Sequence, residues 1–148
     1  MADMNELEKQ VRILTDIEAI RKLKAAYFRC VDQNLWDELE EVFTGDATAD
    51  YGPDIKLDGR KAIIDFLKKT VGKDAFTTAH HGHNAEIEIT GETTARAKWA
   101  LQDRLIIRGI STLTGWGYYD EEYVKENGQW RIKSTAISRL LEEWTQTK

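Results

Sequence analysis

Apolar residues recur at helical spacing through the first half of the chain and at strand spacing through the second. Leu7, Val11 and Leu14 predict a short leading helix. Thr15-Asp16-Ile17-Glu18 has the spacing of a capping box, so a new helix is expected with Thr15 as N-cap. Ile17, Ile20, Leu23, Tyr27 and Val31 then share one face, down to about Gln33. A further helix is predicted from Asn34, with Leu35, Trp36, Leu39, Val42 and Phe43 on its apolar side and Gly45 as its stop.

A short strand, Ala47 to Tyr51, turns at Gly52-Pro53-Asp54 into Ile55-Lys56-Leu57. Asp58 is the expected cap of the next helix, which carries Ile63, Ile64, Leu67 and Val71 and ends at Gly72. Four long strands follow. They run from Ala75 to Ile89, Thr93 to Ile107, Thr112 to Lys125 and Gln129 to about Leu140, the last two joined by the hairpin signal Asn127-Gly128. Helices first and an antiparallel meander second predict an α+β fold, a sheet with helices gathered on one face. The length and the absence of linkers predict a single domain over residues 1–148.

Parity exposes polar groups on apolar faces. The strand Thr93–Ile107 puts Ala95, Ala97, Trp99, Leu101, Asp103 and Leu105 on one side and Arg96, Lys98, Gln102 and Arg104 on the other. Asp103 therefore sits in an apolar row, where a charge needs a partner. A structural salt bridge or a solvent-facing strand end answers that need as well as a pocket role does. All three histidines fall within His80-His81-Gly82-His83. Alternation sets His80 against His81 and His83, and Gly82 is a candidate bulge. A two-histidine metal site at His81 and His83 stays open on spacing alone.

Candidate partners lie on the main helix. Asp32 stands at its C-terminal end, where the dipole disfavours a carboxylate unless a group such as an imidazole pairs with it. Tyr27, on the apolar stripe, is either a core tyrosine or a donor aimed into a pocket. Arg139 follows Ile137 at strand spacing and is placed either to neutralise an inward carboxylate or to end the strand in solvent.

Composition removes several function classes. Lys and Arg number 21 against 26 Asp and Glu, a formal charge of −5 with no basic block, which argues against nucleic acid or an anionic membrane as partner. One cysteine, Cys30, excludes an intrachain disulfide and fits a reducing compartment. No signal segment or long apolar run is present, so a cytoplasmic protein is expected. Five Trp, five Tyr and four Phe are enough to line a pocket as well as fill a core. Trp99, Phe28, Trp116, Tyr51 and Tyr119 are the candidates for that lining.

The order of these features resembles the SnoaL-like branch of the nuclear-transport-factor-2-like superfamily. The likeness rests on a capped helix with Tyr27 and Asp32, then Leu35-Trp36-Asp37, Phe43 and Asp46-Ala47. It continues with His80-x-x-x-Asn84 and Asn127-Gly128-Gln129-Trp130-Arg131-Ile132. The resemblance spans about Thr15 to Leu141 and implies a cone-shaped sheet wrapped around helices over a deep pocket. Within the branch the chain is most similar to the cofactor-free lyases of the scytalone dehydratase, hexachlorocyclohexane dehydrochlorinase and bile-acid 7α-dehydratase type. That implies an Asp32–His80 general-base dyad, with Tyr27, Asp103 and Arg139 beside it, and neither cofactor nor metal. The implied substrate is a small hydrophobic cyclic or polycyclic molecule. An isomerase or polyketide-cyclase-like enzyme, or a binding protein without turnover, are the other functions the superfamily implies. A homodimer or homotrimer is expected, with Leu140-Leu141-x-x-Trp144 packing on a neighbour or capping the pocket.

Overall fold

The computed structural model describes residues 3–146. In chain order it contains α1 (Met4–Gln33), α2 (Trp36–Leu39), β1 (Phe43–Asp50), β2 (Lys56–Asp58), α3 (Arg60–Val71), β3 (Phe76–Ile89), β4 (Thr94–Ile107), β5 (Ser111–Glu126) and β6 (Gln129–Gln146). The strands form one sheet in the order β2-β1-β6-β5-β4-β3, antiparallel except for the β1–β6 pair. This is the α+β arrangement that the change of hydrophobic period predicts. Ile20, Tyr27 and Val31 of α1 and Ile63, Ile64 and Leu67 of α3 pack on the inner face of the sheet, against Ala97, Trp99, Leu101, Tyr119 and Ile132. Among the described residues no helix is long and apolar enough to cross a membrane.

Several element boundaries differ from the sequence reading, each for a local reason. The leading helix and the main helix are one unbroken helix, because no Gly or Pro interrupts residues 4–33. Asp3 is its N-cap, accepting the Asn5 N–H at 3.1 Å, while the Thr15 hydroxyl donates back to the Val11 carbonyl at 2.8 Å. The helix expected from Asn34 to Gly45 shrinks to four residues. Phe43 pairs with Ile132 of β6 instead, so Gly45 lies inside β1 rather than ending a helix. Asp58 pairs with Thr48 in the sheet, and Gly59 (φ 92°) makes the turn into α3. β6 continues past Leu140 to Gln146 because β5 pairs with it along that whole length.

The bulge in β3 falls at Asn84 (φ 48°), not at Gly82. His80 and Gly82 face α1 before it, and Ala85, Ile87 and Ile89 do so after it. Gly82 serves close approach: a Cβ there would stand 2.7 Å from the Phe28 ring. Trp130 and Lys125 of the β5–β6 hairpin fasten α1 to the sheet through Asp16, at 2.8 and 2.7 Å.

Candidate active site

The last turn of α1 delivers Asp32 onto β3. Its Oδ1 accepts from the Thr78 hydroxyl at 2.9 Å and lies 2.6 Å from His80 Nδ1. Its Oδ2 accepts the His80 backbone N–H at 2.9 Å. The carboxylate is thus held by one strand through side chain and backbone together, which offsets the unfavourable helix dipole. The pair remains in reach of solvent, with 23 % of the Asp32 side chain and 10 % of the His80 side chain exposed. Phe28, one turn earlier on α1, lies nearly parallel to the imidazole (12°, centroids 6.4 Å apart).

The sheet register extends this site sideways. His80 pairs with Asp103 on β4, and Asp103 pairs with Gly115 on β5. Arg139 reaches across Gly115 from β6 and grips Asp103 with two parallel hydrogen bonds of 2.7 Å. A side chain at 115 would collide with both the guanidinium and the carboxylate, so only glycine leaves room for the pair. A register slip between Leu141 and Arg139 accompanies the placement of Arg139 over this row. Hydrogen bonding to Asp103 raises the Arg139 pKa above its ordinary value.

Aromatic rings close the site behind the dyad. Tyr27 stands edge-on to Phe28, Phe43 and Tyr119, with centroids 5.4, 5.9 and 6.3 Å away. Trp99 is the register partner of Tyr119, and its indole N–H donates to the Tyr123 hydroxyl at 2.9 Å. Tyr51 leans on Phe66, and its hydroxyl is buried without a hydrogen-bond partner among the described residues. Burial pushes the phenols of Tyr27, Tyr51, Tyr119 and Tyr123 well above their usual pKa, and the nearby Glu121 carboxylate adds to the rise.

Asp32, His80, Asp103 and Arg139 therefore form one continuous cluster, with Tyr27, Phe28, Trp99 and Tyr119 packed beside it. Trp116 does not belong to it. It pairs with Gln102 and Leu141, and strand alternation turns it onto the outer face, away from Gly115 and Gly117. His81 and His83 also face outward, with their rings parallel 5.9 Å apart, and the Asn84 bulge turns Glu86 and Glu88 to that side. No group of three or more metal-ligating side chains occurs among the described residues.

Thr78, Gly115 and the ion pair of Lys24 with Glu121 escape the sequence reading. Alternation holds a signal for one of them: Tyr119, Glu121 and Tyr123 share one face of β5, as Trp99, Leu101 and Asp103 share one of β4. The outer face carries a groove of about 770 Å³, bordered by Glu86, Glu88, Arg96, Lys98, Asp120 and Glu122.

Comparison with known proteins places this fold among relatives. Residues 12–136 match the SnoaL-like domain. A scytalone dehydratase-like protein from Novosphingobium aromaticivorans superposes with a TM-score of 0.82 at 25 % identity, over 88 % of this chain and 87 % of that one. A hexachlorocyclohexane dehydrochlorinase from Novosphingobium barchaimii shares the fold, with a TM-score of 0.78 at 18 % identity over 90 % and 91 % of the two chains. An uncharacterised protein of Mycobacterium tuberculosis is 27 % identical over 121 residues, 80 % of this chain and 82 % of its own.

Proposed function

The chain belongs to the SnoaL-like domain family, within the nuclear-transport-factor-2-like superfamily, and we propose that it is a cofactor-free lyase eliminating water or halide from a small hydrophobic ring. The observation that carries this reading is the 2.6 Å contact of Asp32 Oδ1 with His80 Nδ1. An ionised carboxylate there accepts the Nδ1 proton, so the lone pair is left on Nε2 and the imidazolium formed by catalysis is stabilised.

The reaction runs as a base-promoted elimination. His80 Nε2 takes a proton from carbon, the C–H electrons become the new double bond, and the hydroxyl or halide departs from the neighbouring carbon. A departing hydroxyl needs a proton, and Tyr27 and Tyr51, kept neutral by burial, supply donors at the site. Arg139 and Asp103 orient the substrate's polar group as a neutralised pair. Trp99, Phe28, Tyr51 and Tyr119 hold the ring system and exclude water. The dehydratase-like and dehydrochlorinase neighbours support elimination over other chemistries of this fold.

Asp32→Asn and His80→Ala should each lower turnover about 10²–10⁴-fold with the native circular-dichroism spectrum retained at the assay temperature. A panel of cyclic alcohols and halides, read by mass spectrometry for loss of water or halide, supplies the assay. A product of unchanged mass would make the enzyme an isomerase, and near-normal rates in either variant would remove the dyad from the mechanism. The reading includes a homodimer or homotrimer built on the outer face, where Tyr118 and Leu141 are exposed. Sedimentation equilibrium giving the mass of a single chain would dispose of that part.

A further inference from the structure

Helix α1 presents Lys24, Phe28 and Asp32 toward the sheet on successive turns. Asp32 and Phe28 meet His80, whereas Lys24 goes to a different place. Its side chain has no exposure, and its ammonium lies 3.5, 4.4 and 4.8 Å from the ring centroids of Tyr119, Tyr27 and Phe28. Glu121 of β5, equally buried, is 2.5 Å from Lys24 Nζ. Glu121 Oε1 also accepts from the Thr135 hydroxyl at 2.9 Å, and its Oε2 accepts from the Tyr123 hydroxyl that holds the Trp99 indole. Burial pulls the Lys24 pKa below its ordinary value, and Glu121 works against that pull.

Stability does not account for this pair, because buried ions pay desolvation that apolar residues of equal volume avoid. What a cation among three ring faces does supply is direction. Dispersion between rings is tolerant of sliding, whereas the attraction of one ammonium for several quadrupoles fixes the rings relative to a common point. Phe28 is one of those rings, and it is the ring that lies along His80.

We propose that Lys24, held by Glu121, is a positioning residue: it locks Phe28 along the His80 imidazole and fixes Tyr27 and Tyr119 beside it, so that the base is aimed before substrate arrives. The catalytic meaning of this arrangement rests on the dyad reading above, while the positioning itself does not. The test is the paired substitution Lys24→Met with Glu121→Gln, which removes both charges at nearly constant volume. The variant should melt at or above the wild-type temperature. Its His80 imidazole NMR resonances should move, while those of His81 and His83 on the opposite face stay in place. With a substrate in hand, kcat should fall about 10²-fold with little change in KM. Lys24→Arg keeps a cation among the rings and should return the His80 resonances toward their wild-type positions. Unmoved His80 resonances in the paired variant would overturn the proposal. So would loss of folding, since the pair would then be holding up the fold rather than aiming the base. An active Asp32→Asn enzyme alongside displaced His80 resonances would cost the dyad its role and leave the positioning intact.

Discussion

The two faces of the sheet carry the same kinds of charged residue in very different surroundings. On the outer face Arg96 pairs with Glu88 and Lys98 with Asp120, every side chain at least half exposed. On the inner face Lys24 pairs with Glu121, Arg139 with Asp103 and His80 with Asp32, all wholly or largely withdrawn from water. Outside, water solvates each ion whether or not its partner is present, so the pair adds little. Inside, each ion depends on its partner, and the pairs are bridged to aromatic rings and hydroxyls that hold them in one geometry. Chemistry that needs a fixed base and fixed donors belongs on the second kind of surface.

The comparison breaks most visibly if one inner partner is removed alone. Glu121→Leu strands the Lys24 ammonium among apolar rings and should cost about 3–5 kcal/mol in urea unfolding. An outer-face-like response of a few tenths would mean that the interior pair is solvated after all.

Alkaline titration sharpens the same contrast. Tyr27, Tyr51, Tyr119 and Tyr123 have folded pKa values above the usual phenol value, whereas in the unfolded chain they ionise near 10. Below that pH both states keep the proton and the contribution of each tyrosine is fully present. Above it the unfolded chain releases protons first, so stability should fall by about 1.4 kcal/mol per pH unit for each tyrosine. Lys24 runs the other way: its depressed folded pKa makes its contribution rise with pH up to its unfolded value, one group against four. Urea unfolding followed from pH ~9 to ~11 should therefore show a steep net loss, with phenolate absorbance appearing together with unfolding. Phenolate absorbance from the buried tyrosines without unfolding would show that the inner face admits water.

At the small end, Lys98→Ala should change stability by no more than about 0.5 kcal/mol. A larger loss that depends on protein concentration would show that a second copy covers the outer face.

Part of the candidate site is legible in the sequence. The inward row of β4, with Asp103 in it, follows from alternation, because a sheet buried on one side must segregate its residues by parity. Asp32 is conspicuous because a carboxylate is out of place at a helix C-terminus. Other parts are hidden by the same rules. Lys24 reads as a solvated residue in any helical pattern, and its burial depends on Glu121, 97 positions away. Trp116 suggests pocket lining because it is large, but its register with Gln102 turns it outward. The expected helix through Val42 and Phe43 loses to the strand because pairing with β6 satisfies their backbone in the core.

Local order is what the chain determined by itself: outside the segment from Leu39 to Gly45, which stretches are helices and strands, where the Asn127-Gly128 hairpin turns, and which strand face seeks the interior. These follow from side-chain period and backbone preference, which act between near neighbours. Tertiary structure alone decided which charges meet. The approach of β3 to the end of α1, the gap left by Gly115 beneath Arg139, and the cage around Lys24 all join residues distant in sequence. Their energies exist only after water has been excluded, and no local pattern records that event.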